Sequence, residues 1–411
     1  MADMREDCDY IIKKAIEGVL PEKAVAKALE GFEAPAGRLI LVAIGKAAYR
    51  MAASAYELLG DRIDSGIVIT KYGHLGEDIP GITLREAGHP IPDENGYRAT
   101  EEALLVTDNL TEDDMVLFLV SGGGSALFEK PLISPKEVEE ITGSLLKCAA
   151  SIGEINCIRK RLSAVKGGKF ALHCSPARVF SIVLSDVLGD HLDVIASGPA
   201  YPDKSTAKDA LDIAQKYGLK LSKEAMALME ADGPNSLPNV ETIISGSVKE
   251  LCRYAAEAAK ERGYDPLIIT DSLDCEAKEA GREAAGIGAE ATGKGEKKAF
   301  IMGGETVVKV KGQGLGGRNQ EIALTAAKYI DGMDGVAVFS FGSDGTDGPT
   351  DAAGGYVDAS TVKTLRDKGL DIDEFLADND SYHALEKSGG LIITGPTGTN
   401  VNDATLVLVS G

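Results

Sequence analysis

The sequence predicts an α/β fold of two domains, each a sheet of parallel strands covered by helices. The chain has 411 residues, which is more than one ordinary hydrophobic core accommodates. Short apolar runs alternate with helical stretches almost from end to end. The runs mostly stop at Gly, Ser, Asp or Thr before a helical segment follows, a pattern typical of βαβ units.

The individual elements follow from periodicity, in chain order. The first segment predicts a helix with one apolar face, formed by Ile11, Ile12, Ala15, Ile16 and Val19. The run at 38–45 is continuously apolar and stops at Gly, as a buried parallel strand does. An Ala- and Leu-rich helix closed by the C-cap Gly60 follows it. Further strands are predicted at 65–70, 115–123, 177–186, 242–246, 265–270, 298–304, 335–344 and 390–395.

A break in this pattern predicts the domain boundary. The segment 231–241 reads ADGPNSLPNVE, and its Gly, Pro and Asn residues interrupt the periodicity. We therefore expect one domain at 1–236 and a second at 237–411.

Charge and composition exclude several classes of function. The formal net charge of −21 repels phosphate backbones and anionic lipids, so neither nucleic acid nor a membrane is expected as a partner. No apolar run approaches the roughly 20 residues that cross a bilayer, and the acidic start does not resemble a signal peptide. The six Cys are scattered without a C-x-x-C pair, which favours reduced thiols. We expect a cytoplasmic protein whose exposed helices permit a homodimer.

Unusual residues follow two of the predicted strands in the first half. Ligands of open α/β sheets lie beyond the carboxyl ends of strands, where helix N-termini and loop N–H groups meet. Lys46 begins a helix directly after a buried strand, where it can reach an anion or simply be solvated. A glycine-rich loop suited to phosphate, or an ordinary flexible turn, comprises Ser121, Gly122, Gly123, Gly124 and Ser125. It is not a P-loop, because G-x-x-x-x-G-K-[ST] does not occur.

A basic patch and spaced carboxylates follow in the chain. The patch comprises Arg159, Lys160, Arg161, Lys166 and Lys169, and the carboxylates are Asp186, Asp190 and Asp193. Positive charge for phosphates beside oxygen ligands for a hard cation is what a Mg²⁺–nucleotide site requires. Solvation of some of these charges is the alternative.

The second half contains two glycine-rich loops that carry charged residues. Gly312, Gly314 and Gly317 match the dinucleotide fingerprint G-x-G-x-x-G, although not in the chain's first βα unit. The same loop alternatively delivers Arg318, whose planar fork fits carboxylate or phosphate. Asp347 lies in the other loop and is suited to a cation or to a base. Two rival functions stay open, a nicotinamide-dependent hydroxyacid reductase and a non-catalytic sensor of a small acid.

Ten motifs in a fixed order carry a resemblance that covers nearly the whole chain. They are GKAA (45–48), AGHPIPD (87–93), SGGGSAL (121–127), RLSAVKGGK (161–169), SDVLGDHLDVIASGPAYPD (185–203), GGET (303–306), GQGLGGRNQE (312–321), GSDGTDGPTDAAGG (342–355), NDSYHAL (379–385) and TGPTGTN (394–400). Together they resemble the glycerate 2-kinase family, whose C-terminal part is called MOFRL.

The resemblance implies two three-layer α/β domains, the N-terminal one larger and Rossmann-like, with the active site in the cleft between them. It implies ATP, a divalent metal such as Mg²⁺, and phosphorylation of D-glycerate to 2-phosphoglycerate. Lys46 and Arg318 are the residues that it places at the active centre.

A hypothesis for the remaining residues combines the resemblance with phosphoryl-transfer chemistry. The loop 121–125 with Lys166 and Lys169 would cradle the ATP phosphates. Asp186 or Asp190 would hold Mg²⁺, and Asp190 or Asp347 would accept the hydroxyl proton.

Overall fold

The computed structural model describes residues 4–410, except for the side chain of Asp190. The strands are β1 Leu39–Ile44, β2 Ser65–Lys71, β3 Ile82–Ala87, β4 Met115–Val120, β5 Arg178–Leu184, β6 Val240–Gly246, β7 Asp265–Leu273, β8 Lys298–Gly304, β9 Val336–Gly342, β10 Gly354–Asp358, β11 Leu391–Ile392 and β12 Asp403–Val409. The helices are α1 Met4–Gly18, α2 Pro21–Ala28, α3 Ala48–Leu59, α4 Glu94–Val106, α5 Gly124–Leu127, α6 Pro135–Lys147, α7 Ile152–Leu162, α8 Lys169–His173, α9 Ala207–Lys216, α10 Lys223–Met229, α11 Val248–Glu261, α12 Ala277–Ala291, α13 Arg318–Tyr329, α14 Thr361–Asp367, α15 Ile372–Asp378 and α16 Ser381–Ser388. In this described part of the chain, no helix is both long and apolar enough to span a membrane.

The chain divides into two compact units, each with a six-stranded sheet. One unit comprises residues 25–245, and the other comprises residues 4–24 together with 246–410. The predicted class of two α/β domains is confirmed. The first unit extends to residue 245 because the segment 231–241 leads into β6, which is the last strand of the first sheet. That break in periodicity is therefore a turn within one unit.

The first sheet has the strand order β3-β2-β1-β4-β5-β6. The pairs from β3 through β5 are all parallel, so this unit is Rossmann-like as expected. All residues of β1 and β4 are buried, which means that helices and loops cover both faces. The chain reverses its direction of travel across the sheet at β1 and β4. The carboxyl ends of these two neighbours thus form the topological switch point, where open α/β sheets bind ligands.

The second sheet has the order β11-β10-β9-β12-β8-β7. Only β7 and β8 pair in parallel among its described strands, so the expectation of a parallel sheet is wrong here. The final strand, β12, lies antiparallel between β8 and β9. A loop without a helix joins β9 to β10, and such a connection suits antiparallel neighbours, since parallel ones require a crossover.

Helix α1 is attached to the rest of the second unit by its buried apolar face and by the buried carboxylate of Asp7. The predicted apolar face is confirmed, since Ile11, Ala15 and its other members are buried. Asp7 is 1% exposed and accepts hydrogen bonds from Arg262 Nε at 2.5 Å and Tyr264 Oη at 2.9 Å. Burial by itself would raise the pKa of Asp7, but these bonds outweigh it and the pKa is lowered.

Candidate functional site

Two loops meet at the switch point of the first sheet and are tied together through their backbones. The amide of Lys46, after β1, donates to the carbonyl of Gly122, after β4, at 2.9 Å. Ser121 Oγ accepts from the amide of Ala47 at 3.0 Å and donates to the carbonyl of Ile44 at 3.2 Å. The loops therefore keep their relative position independently of the Lys46 side chain.

The glycines of the 121–125 loop allow other groups to approach it closely. A Cβ atom on Gly123, whose φ is 88°, would lie 3.0 Å from the ring of His89 and 3.3 Å from Lys46 Cγ. A Cβ atom on Gly122 would lie 2.3 Å from Asp186 Oδ2. The structure thus brings the predicted residues Lys46 and Asp186 together with this loop.

Positive charge concentrates around the same loop. Burial and the nearby charges of Lys46, Lys71 and His74 lower the pKa of His89. His74 also contacts the carbonyl of Lys46 through Nδ1 at 3.1 Å. Since the chain carries a net charge of −21, the positive charges of Lys46 and Lys71 beside this loop are suited to an anionic ligand.

The backbone N–H groups of the loop are the second feature suited to an anion. Within residues 4–410, Gly123 and Gly124 have no hydrogen-bond acceptor for their amides. The hydroxyl groups of Ser121 and Ser125 already have hydrogen-bond partners within the protein. Ser121 is 2% exposed and clamps the loops, and Ser125 Oγ lies 2.8 Å from Ser197 Oγ. The predicted phosphate site is therefore supported for the glycines, whereas Ser121 positions the loop.

Lys166 and Lys169 do not lie where the phosphate hypothesis required them. Lys166 is completely buried, and its ammonium group lies 2.6 Å from Glu129 Oε2 and 3.0 Å from the carbonyl of Phe128. Lys169 Nζ donates to the carbonyls of residues 160, 161 and 163. Burial lowers the pKa of both ammonium groups to about 8. Both lysines stabilise the fold beneath the site, and their predicted contact with ATP is a misassignment.

The buried pair of Lys166 and Glu129 should contribute to the stability of the fold. Lys166→Met leaves the Glu129 carboxylate buried without its partner, and we expect a loss of about 3 kcal/mol in the free energy of unfolding, measured by denaturant titration. The double variant Lys166→Met/Glu129→Gln should recover part of the loss, because it removes the orphaned charge. If Lys166→Met instead raises KM for ATP about tenfold and leaves the free energy of unfolding unchanged, Lys166 contacts the ATP phosphates.

The metal prediction rests on Asp186, since the side chain of Asp190 lies outside the described residues. No three His, Cys, Asp or Glu residues of the described chain are grouped so as to hold a metal ion. Mg²⁺ in nucleotide sites is usually bound by one or two carboxylates, together with phosphates and water. One carboxylate beside Gly122 fits that requirement.

Arg318 lies at the start of α13 and is held by two carboxylates. Its Nε and Nη2 donate to the two oxygens of Asp403 at 2.5 and 3.1 Å, and Nη1 donates to Glu305 Oε1 at 2.7 Å. Glu305 directly follows β8, and Asp403 begins β12, which pairs with β8. The guanidinium therefore has a fixed position and is 32% exposed, as a ligand-binding group requires.

Asp347 caps a helix and does not lie open to a substrate. It is 3% exposed and accepts hydrogen bonds from the amides of Asn319 and Gln320, at 3.2 and 2.9 Å, in the first turn of α13. Burial raises its pKa, although these bonds oppose the change. Each oxygen takes two donors, the amide and side-chain nitrogens of Asn319 on Oδ1 and those of Gln320 on Oδ2. All four acceptor sites of the carboxylate are therefore filled, and the structure contradicts the predicted role of Asp347 as the base.

Asp403 and His89 lie beside Arg318 and Lys46, but the sequence analysis did not select either of them as a candidate residue. Burial raises the pKa of Asp403 to about 6, with Arg318 opposing the shift and Asp347 adding to it. The signal was present in the sequence, since Asp403 begins the apolar run DATLVLV and His89 follows β3. Neither run was predicted as a strand. The alternating polar residues of β3 hide it from a search for continuous apolar runs.

Backbone amides in and beside the G-x-G-x-x-G loop (312–317) donate to side chains of the protein itself. The amides of Lys311 and Gly312 donate to Asn379 Oδ1, and the amide of Leu315 donates to Asp380 Oδ1 at 3.0 Å. A dinucleotide fold uses such amides for pyrophosphate. Here side chains of the chain itself take them, which weighs against the reductase.

The chain is similar over nearly its whole length to known proteins. Residues 7–230 match a family described as a domain of unknown function (DUF4147), and residues 298–403 match the MOFRL family. The chain is 55% identical over 405 residues to a D-glycerate 2-kinase of Thermotoga maritima, covering 97% of both chains. It is 39% identical over 436 residues to a glycerate 2-kinase of Pyrococcus horikoshii, covering 99% of this chain and 98% of the other. A crystal structure of a glycerate kinase from Thermotoga maritima matches with a TM-score of 0.96 at 53% identity, covering 99% of each chain.

Proposed function

The chain belongs to the glycerate 2-kinase family, and we propose that it transfers the γ-phosphoryl group of ATP to D-glycerate, forming 2-phosphoglycerate and ADP. The observation that carries this proposal is the position of the Lys46 side chain over the glycine loop. Lys46 and His89 lie against Gly123, whose amide has no hydrogen-bond acceptor in the described chain. Phosphoryl transfer requires mainly positioning and charge neutralisation, and this arrangement offers both.

The first unit supplies the groups suited to the nucleotide. The amides of Gly123 and Gly124 would donate to phosphate oxygens, and the Lys46 ammonium would neutralise their charge. Mg²⁺, when bound, would neutralise and orient the phosphates, and Asp186 would hold it.

The second unit supplies Arg318. Its contacts with Asp403 and Glu305 leave one N–H on each terminal nitrogen without a partner in the described chain. Those N–H groups would bind the substrate carboxylate or the migrating phosphoryl group, since guanidinium pairs well with either.

We place the enzyme in the cytoplasm. All six cysteines are free in the structure, which fits a reducing compartment. A homodimer stays an expectation from sequence.

The test is ADP release by the purified protein with ATP and Mg²⁺, with and without D-glycerate. We expect release that depends on D-glycerate, and no change in nicotinamide absorbance with hydroxypyruvate. Glycerate binding measured by calorimetry without ADP release would instead favour the sensor. Nicotinamide oxidation would favour the reductase.

A further inference from the structure

Asp403 occupies a distinctive position at the end of the second sheet. It is the first residue of β12 and pairs with Gly304 of β8 on one side and Gly342 of β9 on the other. Both glycines are the last residues of their strands. A Cβ atom on Gly342 would lie 3.4 Å from Asp403 Oδ1 and 3.3 Å from Asp344 Oδ1, so both carboxylates approach this glycine.

Arg318 orients this carboxylate without exhausting its capacity to accept hydrogen bonds. The guanidinium binds the two oxygens in parallel, which fixes the plane of the carboxylate. A carboxylate has about four lone-pair sites, and Arg318 uses one on each oxygen. Asn319 adds a further contact. One site remains for a substrate hydroxyl, and the side chain is 10% exposed.

We propose that Asp403 is the catalytic base, which accepts the proton of the glycerate hydroxyl during phosphoryl transfer. This assignment rests on the proposed function and replaces the sequence-based candidate Asp347. In the step, the hydroxyl oxygen bonds to the γ-phosphorus while the bond from that phosphorus to the bridging oxygen of ADP breaks. ADP leaves with the bonding electron pair, and the hydroxyl proton moves to Asp403, which later releases it to water.

The charged groups around Asp403 suit this role. Arg318 of α13 stabilises its ionised form, whereas Asp347 raises its pKa. Glu305 lies across the guanidinium, and Asp344 lies beside the same Gly342. Burial raises the pKa of Asp403 to about 6, with the charge of Asp347 adding to the shift and Arg318 and Asn319 opposing it. A base in this range is mostly ionised at neutral pH yet still takes up a proton readily.

The ionisation of Asp403 should make kcat depend on pH. Asp403 acts only when ionised, so activity is present above its pKa and falls as the pH drops through about 6. We therefore expect an acidic limb in the pH profile of kcat for the wild-type enzyme. A wild-type profile that stays flat through this range contradicts the proposal, whether or not any variant folds.

The variant test is Asp403→Asn, which keeps the shape of the side chain. We expect kcat to fall by roughly 10² to 10³ and the acidic limb to disappear. Glu305→Gln is the matched control, because it neutralises the other carboxylate on Arg318 and should keep the limb whatever its effect on kcat. If Asp403 only positions Arg318, Asp403→Asn lowers kcat but retains the limb, and the proposal is overturned. A wild-type enzyme without glycerate-dependent ADP release refutes the proposed function itself, which is a separate outcome.

Discussion

Arg318→Ala is expected to lower kcat by roughly 10³, the effect of removing a cation that stabilises transition-state charge in phosphoryl transfer. Arg318 is fixed by Asp403 on one side and Glu305 on the other, and its side chain is 32% exposed. Arg318→Lys should recover only part of the rate, because an ammonium group keeps the charge but loses the planar fork. The measurement is steady-state kinetics of glycerate-dependent ADP release.

The matched control for Arg318 is Arg366→Ala. Arg366 lies on α14 of the same unit, is 68% exposed and pairs with Asp331 at 3.2 Å. An exposed ion pair contributes little, so kcat should stay within about twofold of wild type. Thermal unfolding of both variants separates lost catalysis from lost stability, since Arg318→Ala also leaves two carboxylates unpaired. A folded Arg318→Ala enzyme with near-wild-type turnover contradicts the assignment.

Lys46→Ala is expected to lower kcat/KM for ATP by roughly 10², in the range found when one donor to a developing charge is removed. The loop should survive the change, because Lys46 contacts Gly122 and His74 through its backbone. The loss therefore reports the ammonium group itself. The pKa of His89 should rise in the variant, since Lys46 is one of the charges that lower it.

Lys136→Ala is the control for Lys46. Lys136 lies on α6 in the same unit and is 85% exposed. It should leave the kinetics unchanged and account for any general effect of lost positive charge. If Lys46→Ala and Lys136→Ala behave alike, the ammonium group of Lys46 does not contact the phosphates.

Continuous apolar runs explain why much of the first sheet was predictable. Strands β1 and β4 are buried on both faces, so their sequences are uniformly apolar and end abruptly, at Gly45 and at Ser121. The C-cap of α3 is equally local, since Gly60 adopts a φ of 54° and its amide donates to Tyr56. Such features depend on few residues and are visible in sequence.

The second sheet was less predictable because pairing direction is not a local property. The run 403–409 is as apolar as β1, but its antiparallel insertion between β8 and β9 depends on strands that lie far away in the chain.

The candidate site also combines features that are visible in the sequence with contacts that are not. The loop of Gly122–Gly124 could be found from its glycines, whereas the sequence gives no sign that Lys166 turns inward to Glu129. The direction in which each side chain of a basic patch points depends on partners that are distant in sequence. The charge composition of the patch therefore does not predict it. The pairing of Arg318 with Asp403 is another contact between residues remote in sequence.

Proton-coupled phosphorus NMR of the reaction of ATP, Mg²⁺ and D-glycerate identifies the product directly. We expect signals of ADP and of a phosphate monoester split into a doublet by the single proton on C2, which identifies 2-phosphoglycerate. A triplet from the C3 methylene group would keep the kinase but contradict the assigned product. An unchanged ATP spectrum with folded enzyme would contradict phosphorylation of glycerate altogether.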